Sequence, residues 1–208
     1  MGSTGAKQID ISGYRLKVEK PNKRWDSRDQ ENLDWALTYM TREFGDFSDL
    51  INGVKKRSGN WEGLWDKEGF ELKGERQLMF RSDRTITKKL ATHELTHVVA
   101  EEIADNAKVF GFKDRDDFFN TIRSQAYKDA NVEEPKYDGR RWAHRNSEFP
   151  SRILEDIPTH IERGQSLNAM QKSVLRQLKQ YWKQYRDFER SGGKTARQRH
   201  EEYKKQWK

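Results

Sequence analysis

Apolar and polar side chains alternate along residues 8–19, through Ile9, Ile11, Tyr14, Leu16 and Val18, with Ser12-Gly13 interrupting the run. A period of two sends neighbouring side chains to opposite faces, so the pattern predicts one or two short strands. A helix follows, opened by a capping-box pattern at Ser27 and Gln30, carrying Leu33, Ala36, Leu37 and Met40 on one face, and stopped by Gly45. A second short helix is expected over residues 47–55. Between Asn60 and Arg81, the runs Trp61–Trp65, Phe70–Leu72 and Gln77–Phe80 are separated by Lys67-Glu68-Gly69 and Lys73-Gly74, the pattern of an antiparallel meander.

From Ser82 onward the period becomes helical. Ser82 or Asp83 is the expected N-cap, and Ile86, Leu90, Leu95, Val98, Val99 and Ile103 continue the apolar face to about Val109. Phe118, Phe119, Ile122 and Ala126 mark another helix. A loop over 131–145, with Pro135 and Gly139, leads to a helix near 147–163 that Pro158 breaks or bends. Leu167, Met170, Val174, Leu178, Tyr181, Tyr185 and Phe188 recur at helical spacing, giving a long amphipathic helix over 166–190 that ends at Ser191-Gly192-Gly193. The expected fold class is α+β, with a small antiparallel sheet packed on the helix that starts near Ser82 and a helical C-terminal region.

The chemistry-bearing pattern lies in the middle of that helix, as His93-Glu94-Leu95-Thr96-His97. Residues four apart stand one above the other on a helix, so both imidazoles can reach a single zinc ion, with Glu94 near enough to take a proton from water on the metal. The same residues would also make a polar stripe on a core helix, although Ala100 and Ala104 continue the stripe where an open cleft or close packing would want small side chains. A catalytic zinc takes three protein ligands and keeps one open position. The long motif with a further glycine and histidine is absent, since Ala100 and Ile103 stand in those places. Asp117, Glu148 and Glu155 are the acidic candidates for the third ligand, and Asp117 also reads as part of an acidic helix start.

The segment Asn146-Ser147-Glu148-Phe149-Pro150-Ser151-Arg152-Ile153-Leu154-Glu155, following the HExxH helix, resembles the gluzincin-type peptidases related to anthrax lethal factor and the Pro-Pro endopeptidases, and zincin-like domains of phage and mobile-element proteins. The resemblance covers roughly Trp61 to Arg163. It implies a zincin-like metallopeptidase domain over residues 8–165, in which His93, His97 and Glu148 bind Zn2+ and Glu94 is the general base that hydrolyses a polypeptide substrate. It also implies that the strand before the active-site helix, Gln77–Phe80, is an edge that binds extended substrate, where an internal strand is the other possibility. The chain departs from the pattern at Arg152, where a second Glu is common, and at Arg141-Trp142, where a Tyr is common. Tyr137 and His144, both placed in the preceding loop, are the candidates to stabilise the oxyanion.

Composition narrows the choices. The chain of 208 residues has no Cys, which excludes disulfides and thiolate zinc sites and leaves His, Asp and Glu as metal ligands. No apolar run approaches the roughly 20 residues of a membrane span, and the N-terminus lacks a secretory apolar core, so a cytoplasmic protein is expected. The formal net charge is +7, and the positive excess falls within residues 161–208 while the rest is close to neutral. Residues 166–208 therefore read as a basic amphipathic helix and tail, able to meet an acidic or nucleic-acid partner, with Trp182 and Trp207 available to stack on bases. The alternative function is a phage or mobile-element nucleic-acid-binding or assembly protein built on a zincin-like scaffold.

Overall fold

The computed structural model describes residues 7–11, 13–19, 25–57, 63–66, 76–135, 142–196, 198, 199 and 202. The fold is α+β, in two compact units. The first takes Met1–Val98 and Glu155–Gln165, and the second takes Val99–Leu154 and Ser166–Lys208.

In the first unit, β1 (Lys7–Ile11) and β2 (Tyr14–Glu19) form a hairpin whose turn uses Gly13 at φ +81°, with the Gly13 N–H donating to Asp10 Oδ1. The helix α1 (Ser27–Phe44) then carries the chain across to β3 (Gly53–Arg57), which pairs parallel to β2. A crossover of this kind is what parallel pairing requires. β4 (Gly63–Asp66) and β5 (Gln77–Arg81) pair antiparallel, and β5 also pairs parallel to β3, giving the order β1-β2-β3-β5-β4. The expected small antiparallel sheet is thus corrected to a five-stranded mixed sheet with a parallel centre, and the Gln77–Phe80 run is an internal strand instead of an edge. Phe70–Leu72 of the expected meander lies outside the described residues.

The short helix expected over 47–55 resolves into a single 3-10 turn, Ser48–Leu50, followed by β3. β3 is buried through Val54, Lys55 and Lys56 in succession, as befits a strand covered on both faces. The Lys56 ammonium, 2% exposed, is held 2.7 Å from the Asp29 carboxylate, which is 0% exposed. Asp29 has further duties. The N-cap of α1 is Asp26, one residue before the expected Ser27, and Asp26 and Asp29 exchange backbone-to-side-chain bonds in a capping box. Asp29 Oδ1 also accepts from the Ile86 N–H at 2.7 Å, while Asn32 Nδ2 donates to the Ile86 carbonyl. Together these bonds tie α1 and β3 to the segment leading into α2 (Lys88–Asp105). α2 starts later than expected, because Thr87 is the residue whose hydroxyl accepts the free N–H of Leu90. A short helix, α5 (Ile157–Glu162), completes this unit, with Pro158 in its first turn where a missing N–H costs nothing.

The second unit opens on the rest of α2 and packs α3 (Arg115–Ala130), α4 (Trp142–Leu154) and α6 (Ala169–Arg190) together. Its core holds Phe118, Phe119, Ile122 and Ala126 of α3, Phe149 and Leu154 of α4, and Val174, Leu178, Trp182 and Tyr185 of α6. The buried face of α6 is rotated from the expected seam: Trp182 is inside, stacked on Tyr185 at 5.1 Å with the Arg186 guanidinium over its ring, whereas Met170, Tyr181 and Phe188 are half-buried. Trp182 therefore cannot serve as a base-stacking platform, and Trp207 lies outside the described residues. Arg176, Lys183, Arg186 and Arg190 each pair with an acidic side chain, so much of the basic face is neutralised locally. No helix among the described residues is long and apolar enough to cross a membrane.

The sequence also suggests that everything beyond Gly193 is a loose appendage, and here the structure differs. Thr195 is fully buried, and the Ala196 N–H donates to Oδ1 of the buried Asn106, whose Nδ2 donates to the Glu102 carbonyl. Truncation after Gly193 strips that acceptor of its donor and uncovers the site. The expected loss is about 1–3 kcal/mol, read from urea unfolding of the full and truncated chains. Equal midpoints would show that the segment adds nothing to the unit.

Candidate metal centre

The helical spacing does what the sequence demands of it. His93 and His97 lie on one face of α2 with ring centroids 4.9 Å apart and their Nε2 atoms 3.2 Å apart. The imidazoles are only partly exposed, because the opposite side of α2 is anchored by Ala91, Leu95, Val98 and Val99, all fully buried. Ala100 and Ala104 are also buried, as close packing on that stripe requires. Glu94, next to His93, is 3% exposed.

Behind His93 stands Glu155, in the two-residue turn between α4 and α5, with Oε2 2.7 Å from His93 Nδ1. A carboxylate there favours the proton on Nδ1, fixes the ring plane and leaves the Nε2 lone pair available. Lys89 supports the carboxylate from the other side, with Nζ 3.2 Å from Glu155 and 2.8 Å from Asp156. Burial alone would push the Glu155 carboxyl up, but the hydrogen bonds from His93 and Lys89 outweigh it and hold the group below its ordinary value. Glu155 is thus a supporter of a histidine, which no local pattern distinguishes from a ligand.

Glu148 sits on α4, partly exposed, with Arg152 Nε one turn on at 4.0 Å. One ligand atom each of His93, His97 and Glu148 lies within 4.8 Å of the other two, a group that could hold a metal ion. Asp117 is elsewhere employed: its N–H is capped by Asp114 Oδ1, and its own carboxylate accepts from the Lys113 N–H at the start of α3. His144 belongs to α4 and not to the loop the sequence suggests, because the helix begins at Trp142. Its side chain, like Tyr137 as a whole, lies outside the described residues. Lys89, which braces Glu155, escaped the sequence pattern altogether, because it looks like an ordinary surface lysine. Compared with known protein families, curated proteins and solved structures, the chain matches none.

Proposed function

We propose that this chain is a zinc-dependent peptidase of the gluzincin type. The observation that carries the proposal is the His93, His97 and Glu148 grouping, with Glu155 orienting His93 from behind. Two imidazoles and a carboxylate are a donor set that zinc accepts in catalytic centres, leaving a fourth position for water or substrate. Nitrogens that share one tetrahedral zinc stand roughly 3.3 Å apart, and the two Nε2 atoms are separated by 3.2 Å. When bound, zinc supplies Lewis acidity that polarises a carbonyl and brings the acidity of water toward neutral pH.

The chain's own groups divide the remaining work. Glu94 takes a proton from the attacking water and passes it to the departing amine nitrogen, which needs a carboxylate beside the histidines and not one of the ligands. Glu155 keeps His93 in the tautomer that presents Nε2. β4, paired among the described residues with β5 alone, offers main-chain groups to an extended peptide in place of the internal Gln77–Phe80 strand.

Incubation of the purified full chain with a mixed peptide library tests the proposal. Cleavage abolished by a chelator and restored by zinc is the expected result, with about one zinc per chain by elemental analysis. A zinc-loaded protein that cuts no peptide would reject it. Within the centre, Glu155→Gln should weaken zinc binding about 10–100-fold by loosening His93, with a larger loss for Glu148→Ala and none for Asp117→Ala. If a zinc titration ranks Glu155 above Glu148, the third ligand has been misassigned.

A further inference from the structure

Arg123 is among the largest fully buried side chains of the protein, and α3 presents it on the same stripe as Phe119, Ile122 and Ala126. Burying a guanidinium is costly unless its donors are met, and packed apolar side chains would often serve stability as well. Its partners suggest what it does instead. Nη1 donates to Asn146 Oδ1 at 2.9 Å, while Nη2 donates to the Pro135 carbonyl at 3.2 Å and pairs with Glu134 at 3.3 Å. Asn146, itself fully buried, donates through Nδ2 to Asn120 Oδ1, so two residues of α3 hold one side chain of α4.

The same two helices also meet through an apolar contact: the Phe149 ring lies 5.7 Å from the Tyr127 ring, over which Arg123 is placed. Apolar contacts tolerate sliding, whereas directional hydrogen bonds do not. A slip of one residue along a helix turns every side chain by about 100° and shifts it about 1.5 Å, enough to remove a carboxylate from a ligand position. Asn146 and Glu148 are two residues apart, so fastening Asn146 to α3 turns Glu148 toward the other side of α4.

We propose that Arg123 is a positioning residue, which through Asn146 fixes the rotation and register of α4 and so sets the Glu148 carboxylate for the metal. The inference rests on the zinc reading above. Its test uses the full chain, with zinc affinity measured by competition against a chromophoric chelator and folding checked by circular dichroism and thermal melting. The Arg123→Met/Asn146→Leu pair replaces the clamp by apolar side chains of similar volume. It should fold and bind zinc about 10–100-fold more weakly than the parent. In a Glu148→Ala background the same pair should change the affinity by less than about twofold, because its effect passes through a carboxylate no longer present.

A folded pair with the parent's affinity would overturn the proposal, as would equal losses in the two backgrounds. If the pair does not fold, Arg123→Lys takes its place under the same criteria, since it keeps the charge but cannot reach Asn146, Pro135 and Glu134 together. Failure of both to fold would make the clamp a stability element and also end the proposal. A parent chain that binds no zinc would instead defeat the metal assignment, a result distinguishable from all of these.

Discussion

Glu94→Gln is expected to leave the zinc content intact while lowering peptide hydrolysis about 10²–10⁴-fold, and His97→Ala is expected to lose both. The contrast follows from the different tasks of neighbouring residues. On the proposed reading, His97 offers a nitrogen 3.2 Å from that of His93, so its removal would leave an ion one imidazole and one carboxylate, too few to retain it. Glu94 is nearly buried on the same helix and is not needed as a ligand. An amide in its place has almost the same shape but cannot accept the proton of an attacking water. Activity and bound zinc should therefore be measured on the same preparations. Turnover that persists in Glu94→Gln would assign the base elsewhere, and full zinc occupancy in His97→Ala would dissolve the centre.

The largest effect on stability is expected at Asp29. Its carboxylate serves the Lys56 ammonium, the Ile86 N–H and the N-cap backbone of α1 at once, with no exposure to water. Asp29→Ala removes the carboxylate that stands 2.7 Å from a buried ammonium and that serves as acceptor for two N–H groups. The expected cost is about 3–5 kcal/mol in urea unfolding, as for other broken buried pairs. Lys56→Met should be much milder, because the carboxylate keeps its backbone donors and a flexible apolar chain fills the stem's place. A cost below about 1 kcal/mol for Asp29→Ala would mean that water replaces the carboxylate readily.

These two sites mark how far the sequence could be read. His93, Glu94 and His97 are legible because their chemistry depends on neighbours along one helix, and the helix is strongly patterned. The proposed third ligand depends on a helix far along the chain, where Glu148 and Glu155 look alike locally, and it is the bond of Glu155 to His93 Nδ1 that distinguishes the two. β3 was hidden for a similar reason. Val54-Lys55-Lys56-Arg57 looks too charged to be an inner strand, and the carboxylate that makes it one belongs to Asp29 in the preceding helix. The place of Gln77–Phe80 in the sheet was likewise set by distant pairing, with β3 inserted beside it. On α6 the spacing identified the helix but not which of two adjacent aromatic rows, Tyr181 or Trp182, would face inward.

The turn that ends α4 gives the chain a fingerprint. On the reading proposed here, one short stretch supplies both the carboxylate offered to zinc, Glu148, and the carboxylate that steadies His93, Glu155. The interval between them cannot drift, because inserting a residue before the turn would displace one acid from its task while leaving the other in place. Asn146, fastened to Arg123, constrains the same stretch from its other side. Chains that share this centre should then be recognisable, even when sheet and surface have diverged, by HExxH followed at a distance by Asn-x-Glu and, seven residues further, a second Glu. Loop lengths around the stretch are free to change, but its internal spacing should be kept.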